Sequence, residues 1–364
     1  MNRRIAHFLA LTILLWFASG SDGATAQAVV RSVSGEYFSP ATLDSIFAAA
    51  AAEADVPGLS VAIVNGDRTV YHGVFGVTNT RTGVPVDDST VFEAASLSKP
   101  VFAYYALRQV EAGLLDLDTP LYRYLPHPGI VHRDREAATC ITARMVLAHR
   151  SGLPNHANGD SIALAFPPGE GFAYSGEGYQ YLAAVIAALR GTDLRDGLSQ
   201  EFRRLAGTLF GWRHSSFVAT PYLQRHLATG HTQEGAPTEA SVGKTFLAYS
   251  SLHTEASEYA RFLSTLLRRE GLSAGTYDEM LREQTGFAPE HPLRREIGQT
   301  GWGLAMAQKP TEYGMMHVHT GNNHDFQAYM MVLPEQDFGI VCFLNGPRAI
   351  PFLQAINRSI GPIL

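Results

Sequence analysis

Lysine and cysteine are both scarce in this chain of 364 residues. Only three of its 28 basic residues are lysines, and its two cysteines are Cys140 and Cys342. Two cysteines do not make a disulfide scaffold, and sequence leaves open whether they pair. The net charge of −6 at pH 7 argues against nucleic acid as a partner.

Biased and repetitive segments are also missing. The chain has no Pro/Ser-rich, Gln/Asn-rich or single-sign charge tract, which argues against a disordered arm. It has no fixed-period repeat that would indicate a solenoid. After the first residues, no apolar run reaches the length of about 20 residues that a membrane helix needs. The composition, 46% hydrophobic and 17% charged, is typical of a globular protein with a large core.

The first residues have the pattern of an export signal. Arg3 and Arg4 precede an apolar run over 5–18, and small residues up to Ala26 have the spacing that signal peptidases accept. The run is short for a membrane span, although an uncleaved anchor is the alternative. We expect residues 1–26 to be a signal peptide cleaved near Ala26. The mature protein is then periplasmic or secreted, with no stable membrane insertion.

Strand-like segments lie near both ends of the chain, and helical segments lie in the middle. Two β-rich runs flank Asn65-Gly66, a typical hairpin signal, and three more lie within 315–345. Helical patterns and loops dominate over 114–243. An amphipathic helix follows, with Thr254 as its predicted N-cap.

This arrangement predicts an α+β fold. Short turns join the C-terminal strands, so we expect a mainly antiparallel sheet, built from both chain ends and flanked by helices. The predicted domain is 27–364. It has an α/β body over about 30–113 and 244–364, with an inserted, mostly helical lobe over about 114–243. The cleft between body and lobe is the default place for a site.

The segment Ser96-Leu97-Ser98-Lys99 combines a nucleophile and a base at the start of a helical pattern. Residues three apart share a helical face, with Cβ atoms about 5–6 Å apart, so Lys99 is expected to reach the Ser96 hydroxyl. A desolvated lysine has a lowered pKa and can take the proton of a serine. The pattern alone is weak, because S-x-x-K arises by chance; a second copy, which we interpret as loop, begins at Ser241.

Two other patterns carry hydrolase or metal chemistry. Residues 271–275 (GLSAG) fit the G-x-S-x-G elbow, but the elbow follows a strand and here a helical pattern precedes it. His317 and His319 share one face of a predicted strand, with His324 and Asp325 nearby, so zinc is the alternative reading of this group. No further cluster completes a site, and we expect neither a metal nor an organic cofactor.

Further motifs follow Ser96 in a fixed order. They are LAHRSGLP (147–154), FPPGEGFAYSGEGYQYL (166–182), SSLHTEASEYARF (250–262), GWGL (301–304) and HTGNN (319–323). With these motifs the chain resembles the superfamily of serine β-lactamases and penicillin-recognising proteins. It resembles in particular the class C-like branch, which includes β-lactamases, D-aminopeptidases and family VIII-type esterases. The resemblance covers essentially the whole mature chain.

The resemblance implies a role for each matching side chain. Ser96 would be the acylated nucleophile and Lys99 its proton partner. Tyr174 would be the tyrosine of the family's Tyr-x-Asn motif, acting as general base and proton shuttle. A phenol has a pKa of about 10, so this role requires neighbouring cations that favour the phenolate. The alternative is that Tyr174 is a packed aromatic residue.

The segment His319-Thr320-Gly321 stands where the family has a Lys-Thr-Gly strand. By the same resemblance, the backbone N–H groups of Ser96 and Asn322 would form the oxyanion hole. A histidine is charged only partly near neutral pH, so we expect turnover to follow its titration and His319→Lys to shift that dependence. The alternative is a surface histidine on the strand.

Gly176 departs from the family pattern, because it stands where Tyr-x-Asn has an asparagine that helps hold the substrate's amide. Its presence leaves acylation possible and favours an ester or a small amide or peptide over a β-lactam. We expect an exported serine hydrolase that forms an acyl-enzyme on a small-molecule or cell-wall-derived substrate. A class C-like β-lactamase or D-peptidase and a non-catalytic cell-wall binding module remain alternatives. The oligomeric state stays open.

Overall fold

The computed structural model describes residues 29–127, 129–157, 159, 161–239 and 242–364. Their helices are α1 (Pro40–Glu53), α2 (Ser98–Glu111), α3 (Arg135–Ala138), α4 (Ala143–Leu147), α5 (Gly176–Leu189), α6 (Gly197–Phe210), α7 (Pro221–His226), α8 (Ala256–Arg268), α9 (Ala274–Leu281), α10 (Pro292–Ile297) and α11 (Ala349–Ile360). Their strands are β1 (Val30–Arg31), β2 (Tyr37–Phe38), β3 (Gly58–Asn65), β4 (Arg68–Asn79), β5 (Val84–Pro85), β6 (Phe92–Glu93), β7 (His253–Thr254), β8 (Thr285–Gly286), β9 (Gly301–Trp302), β10 (Ala307–Thr311), β11 (Gly314–Asn322), β12 (Gln327–Leu333) and β13 (Phe338–Leu344). The predicted signal peptide and Ser241 lie outside the described residues.

One antiparallel sheet of nine strands, in the order β5-β4-β3-β13-β12-β11-β10-β9-β8, dominates the fold. Its strands come from both parts of the chain, as predicted, and β3 pairs with β13 where the two parts meet. Short connections such as Gly66-Asp67 and the turn Pro334–Gln336 make neighbouring strands antiparallel. The predicted α+β fold is confirmed, whereas the proposed boundaries of body and lobe stay a prediction.

Helices cover both faces of the sheet. In β13 every residue is buried, and alternate side chains belong to two different core clusters. Phe47 of α1 and Phe352 of α11 pack on one side, whereas Tyr259 of α8 packs against Phe343 on the other. Because both faces are covered, β13 reads as a continuous apolar run rather than an alternating one. Its Cys342 is buried; Cys342 and the exposed Cys140 are both free thiols.

The start of α8 differs from the prediction. Thr254 is not the N-cap: it lies in β7, and its hydroxyl is 2.6 Å from that of Ser215. The Glu255 carboxylate is the cap, accepting the N–H groups of Ser257 at 2.6 Å and Glu258 at 2.7 Å. The prediction was wrong because β7 pairs with β6, and this pairing uses Thr254 as a strand residue. That pair fixes β6, which leads directly into the segment around Ser96.

The serine of the G-x-S-x-G pattern has a structural role. Ser273 caps α9, its hydroxyl accepting the N–H of Thr276 at 3.2 Å, and no strand precedes it, so residues 271–275 are not a nucleophile elbow. Among the described residues, no group of three or more His, Cys, Asp or Glu side chains is arranged to hold a metal ion. Within the same residues, no helix is both long and apolar enough to span a bilayer.

Candidate active site

Ser96 lies in a 3-10 turn, Ala95–Leu97, which leads directly into α2. Ala95 adopts φ +47°, a left-handed conformation that few non-glycine residues take. Buried hydroxyls hold this turn: Ser98 donates to the Ala95 carbonyl at 2.6 Å, and Tyr259 donates to the Leu97 carbonyl at 2.9 Å. The strained turn presents the partly exposed Ser96 side chain at the end of β6.

Lys99 extends from the first turn of α2 toward Ser96. Its Nζ lies 3.1 Å from Ser96 Oγ and donates to the carbonyl of Tyr249 at 3.0 Å. The ring centroids of Tyr174, Tyr249 and Tyr179 lie 4.5, 5.5 and 5.7 Å from Nζ. The side chain is 0% exposed, and no carboxylate among the described residues offsets its desolvation. Burial therefore lowers the pKa of Lys99 well below its ordinary value, and the amine can accept a proton.

Tyr174 lies immediately before Ser175, the N-cap of α5. Its hydroxyl is 3.4 Å from Nε2 of His319. Burial raises the pKa of Tyr174 above its ordinary range, and the nearby Ser96 hydroxyl offsets only part of this increase. The phenol is therefore protonated at neutral pH. This contrasts with the phenolate that the general-base role requires, because burial disfavours the charged form and no charged neighbour offsets it among the described residues.

His319 lies on β11 opposite Met330 of β12. It is 3% exposed, so it is not a surface residue, and its Nδ1 is 2.8 Å from the Thr320 carbonyl. Burial, with Lys99 nearby, lowers the pKa of His319 to about 3. The imidazole is neutral at physiological pH, which removes the physical basis for the expected pH dependence around its titration. Its role in the reaction stays a prediction.

The glycine of the His-Thr-Gly segment lets β11 approach the nucleophile turn. A Cβ at Gly321 would lie 2.6 Å from the Ala94 carbonyl oxygen and 3.2 Å from the Ala95 Cβ. Ser96 and Asn322 consequently line one cavity of about 260 Å³, where both predicted oxyanion residues meet.

The side chain of Thr320 does not join them. It is exposed, and strand alternation directs it away from the face that carries His319 and Gly321. Thr320 therefore takes part in the site through its backbone alone, because its carbonyl lies beside the His319 ring.

Packing explains the glycine at position 176. A Cβ there would lie 2.5 Å from the carbonyl oxygen of Asn155 and 3.0 Å from the ring of Tyr249. These two residues fill the space that a larger side chain at Gly176 would need. Asn155 also lines the Ser96 cavity, and its buried Oδ1 has no hydrogen-bond partner within the part of the chain that the structure describes.

An aromatic wall behind Tyr174 contains two residues to which the sequence assigned no role, His149 and Trp302. The His149 ring centroid lies 4.3 Å from that of Tyr174 and 5.1 Å from that of Trp302. The Trp302 centroid lies 6.0 Å from Tyr174 and 5.7 Å from His319. Both residues belong to motifs that the sequence offered, LAHRSGLP and GWGL, but only the fold brings them together.

Comparison with known families agrees with this geometry. The family model described as Beta-lactamase matches residues 43–363. The chain belongs to the beta-lactamase family. It is therefore a beta-lactamase-related serine hydrolase, and its relatives carry the names of both β-lactamases and penicillin-binding proteins.

The relatives are distant but cover most of the chain. A beta-lactamase of Providencia stuartii is 24% identical over 354 residues, spanning 87% of this chain and 89% of the relative. Penicillin-binding protein 4 of Amycolatopsis lactamdurans is 26% identical over 344 residues, spanning 86% and 87%. The solved D-alanine carboxypeptidase AmpC from Burkholderia cenocepacia superposes with a TM-score of 0.72 at 20% identity, covering 87% of this chain and 97% of its own. At that identity the structural likeness establishes the fold.

Proposed function

We propose that this protein is an exported serine hydrolase that acylates Ser96 and releases the acyl group to water. The observation that carries the proposal is the 3.1 Å separation between Lys99 Nζ and Ser96 Oγ, beside the cavity that Asn322 lines. Because burial lowers the pKa of Lys99, its amine is unprotonated and can take the serine proton as Oγ attacks a carbonyl carbon.

The proton moves within the aromatic pocket. Lys99 accepts it from Ser96, and the protonated phenol of Tyr174 passes a proton to the departing oxygen or nitrogen as the acyl bond breaks. His319, neutral and 3.4 Å from the phenol oxygen, holds that hydroxyl by hydrogen bonding rather than by charge. The backbone N–H groups of Ser96 and Asn322 bind the oxyanion. Water then attacks the acyl-enzyme and the same proton transfers run in reverse. The Tyr174 oxygen takes a proton from the water, and Lys99 returns its proton to Ser96.

The site favours an ester or a small amide or peptide over a β-lactam. The space at position 176, where an amide side chain would bind a β-lactam's acylamino group, is filled by Asn155 and Tyr249. The cavity is small, about 260 Å³, and mostly polar. Its lining is Ser96, Asn155, His156, Tyr249, Ser250, Asn322, Asn323 and His324. We propose a small-molecule or cell-wall-derived substrate for this site, and the reaction as proposed needs no cofactor.

The N-terminal pattern supports export. Residues 1–26 combine a basic start, an apolar run and small residues before the expected cleavage point. Expression of the full chain with mass analysis of its mature N-terminus tests this part separately. A mature chain that begins near Gln27 supports export, and retention of Met1 argues for an uncleaved anchor.

A turnover panel tests the hydrolase. It comprises p-nitrophenyl esters of increasing acyl length, nitrocefin and D-amino-acid amides, with a fluorophosphonate label mapped by mass spectrometry. We expect ester turnover and label on Ser96, both absent in Ser96→Ala. Nitrocefin hydrolysis with a higher kcat/KM than any ester would assign a β-lactamase. Folded wild-type protein with neither turnover nor label would favour the non-catalytic binding module.

A further inference from the structure

His149 is fully buried beside Tyr174, and the proposed reaction does not use it. It follows α4 with φ +56°, in the left-handed region that histidine and asparagine tolerate better than most side chains. This conformation turns both its carbonyl and its ring toward the segment around Tyr174, and the two ring centroids are 4.3 Å apart.

His149 accepts hydrogen bonds from the residues immediately before and after Tyr174. The His149 carbonyl accepts the N–H of Ala173 at 2.9 Å, and its Nδ1 lies 3.0 Å from the N–H of Ser175, which donates to it. Because Nδ1 accepts, a neutral ring carries its proton on Nε2. That group is buried and has no hydrogen-bond partner among the described residues, and the rings of Phe172, Tyr179 and Trp302 lie around the imidazole.

The surroundings keep His149 in this form. Burial, together with Lys99 and His319, lowers the pKa of His149 well below its ordinary value. A protonated ring would present an N–H at Nδ1 to the N–H of Ser175, so two donors would face each other and the contact would be lost. A buried Nε2 group without a partner lowers the stability of the native protein. This destabilising group lies at the residue that holds the backbone around Tyr174.

We propose that His149 is a positioning residue that fixes the phenol of Tyr174 for proton transfer, by holding the backbone amides on both sides of it. The inference rests on the proposed acyl-enzyme function. Without the Nδ1 acceptor, the N–H of Ser175 is buried and unpaired, and the Tyr174 hydroxyl loses its fixed distance to His319. Misplacement of a catalytic group by about 1 Å can cost about 100-fold in rate.

Three substitutions of the full chain test the inference. In His149→Asn, Oδ1 stands as many bonds from the backbone as Nδ1 and can accept the Ser175 N–H, and asparagine tolerates the positive φ. His149→Leu keeps a similar shape without an acceptor. In His149→Gln the acceptor is one bond farther out. The measurements are kcat and KM for the best p-nitrophenyl ester and the rate of fluorophosphonate labelling.

We expect His149→Leu and His149→Gln to lower kcat and the labelling rate about 10- to 100-fold, with KM unchanged within about threefold. His149→Asn should recover most of the wild-type kcat. The control is His231→Leu: His231 is also buried and bonds Thr80 and Asn345, outside the Ser96 cavity. It should lose stability but retain kcat.

Wild-type kcat in His149→Leu, or an asparagine variant no faster than the glutamine variant, would overturn the inference. If His149→Leu does not fold, the Asn and Gln pair decides alone. A wild-type protein that neither turns over esters nor takes up the label would overturn the proposed function, and the inference with it. Wild-type activity without the expected pattern would overturn the inference only.

Discussion

The surroundings of the Lys99 side chain are mainly aromatic and would suit an apolar side chain. Three tyrosine rings surround Lys99, and in the described residues its Nζ hydrogen-bonds only to the Ser96 hydroxyl at 3.1 Å and the Tyr249 carbonyl at 3.0 Å. We predict that Lys99→Met lowers the labelling rate of Ser96 by about 10²- to 10⁴-fold, the usual worth of a positioned proton acceptor. The melting temperature should hold or rise, because a desolvated amine is replaced by an apolar chain of similar length.

Labelling kinetics and a thermal melt of the same preparation check both parts. Retained labelling would show that another group takes the Ser96 proton. A large fall in melting temperature would show that the Lys99 amine stabilises the fold through its two hydrogen bonds.

Gly176 illustrates a site residue whose identity depends on its neighbours. A Cβ there would meet the backbone of Asn155 at 2.5 Å, which a side-chain rotation cannot relieve. We predict that Gly176→Ala lowers the free energy of unfolding by about 1–3 kcal/mol, as overpacking does, and that Gly176→Asn does no better at nitrocefin hydrolysis than wild type. Denaturant melts and nitrocefin kinetics check this. A Gly176→Asn protein that is stable and hydrolyses nitrocefin faster would contradict it.

At the scale of elements, the site depends on how closely β11 lies against the turn that carries Ser96. Gly321 permits that approach, because a Cβ would lie 2.6 Å from the Ala94 carbonyl. We predict that Gly321→Ala lowers kcat for esters at least about 10-fold, since it moves Asn322 relative to Ser96 and so misaligns the oxyanion donors.

Gly339→Ala on β13 is the matched control for Gly321→Ala. There a Cβ would meet side chains of Val332 and Leu263 at 3.4 to 3.5 Å, an ordinary contact. Steady-state kinetics of the two variants should therefore differ sharply. Equal kcat values in both would show that the approach of β11 does not control the reaction.

Element types were predictable from sequence, whereas element ends were not. β-rich runs and short turns predicted β11, β12 and β13, because these signals are local. The N-cap at Glu255 was missed, since the pairing of Thr254 with Phe92 depends on contacts far along the chain. The 3-10 turn that carries Ser96 is likewise held from a distance, because Tyr259 of α8 donates to the Leu97 carbonyl.

At the scale of the whole molecule, buried histidines make the fold sensitive to acid. Burial lowers the pKa of His319 to about 3 and those of His253 and His317 to about 4, and it lowers that of His149 well below its ordinary value. Between these values and about 6.5 the unfolded chain binds protons that the native protein does not, so stability falls as pH falls.

We predict that the free energy of unfolding decreases from about pH 6.5 to pH 5, by up to about 1.4 kcal/mol per pH unit for each such group. This window lies above the titration of most carboxylates. Denaturant melts across it provide the measurement, and His317→Gln should reduce the slope by removing one group. A slope of zero over this window would mean that these rings are accessible to protons in the native state.

The order of the motifs predicted Ser96, Lys99 and Tyr174 in one site, and the structure brings these three side chains together. The charge states and packing constraints of the site residues could not be predicted from the motifs. The neutrality of His319 follows from burial beside Lys99, and the constraint at Gly176 follows from Asn155, 21 residues earlier on a loop without a regular pattern. Such effects arise where distant segments pack, and a single sequence carries no signal for them.

The pairing of β3 with β13 unites the early and late parts of the chain, and His319 reaches Tyr174 across 145 positions. A nascent or truncated chain that lacks β11 therefore carries Ser96, Lys99 and Tyr174 without His319 and Asn322. Labelling of Ser96 by a fluorophosphonate should therefore report the completion of folding. During refolding it should appear only with the last recovery of the tertiary-structure signal. Before the C-terminal strands pair, the Ser96 hydroxyl should therefore be unreactive even though Lys99 is already present.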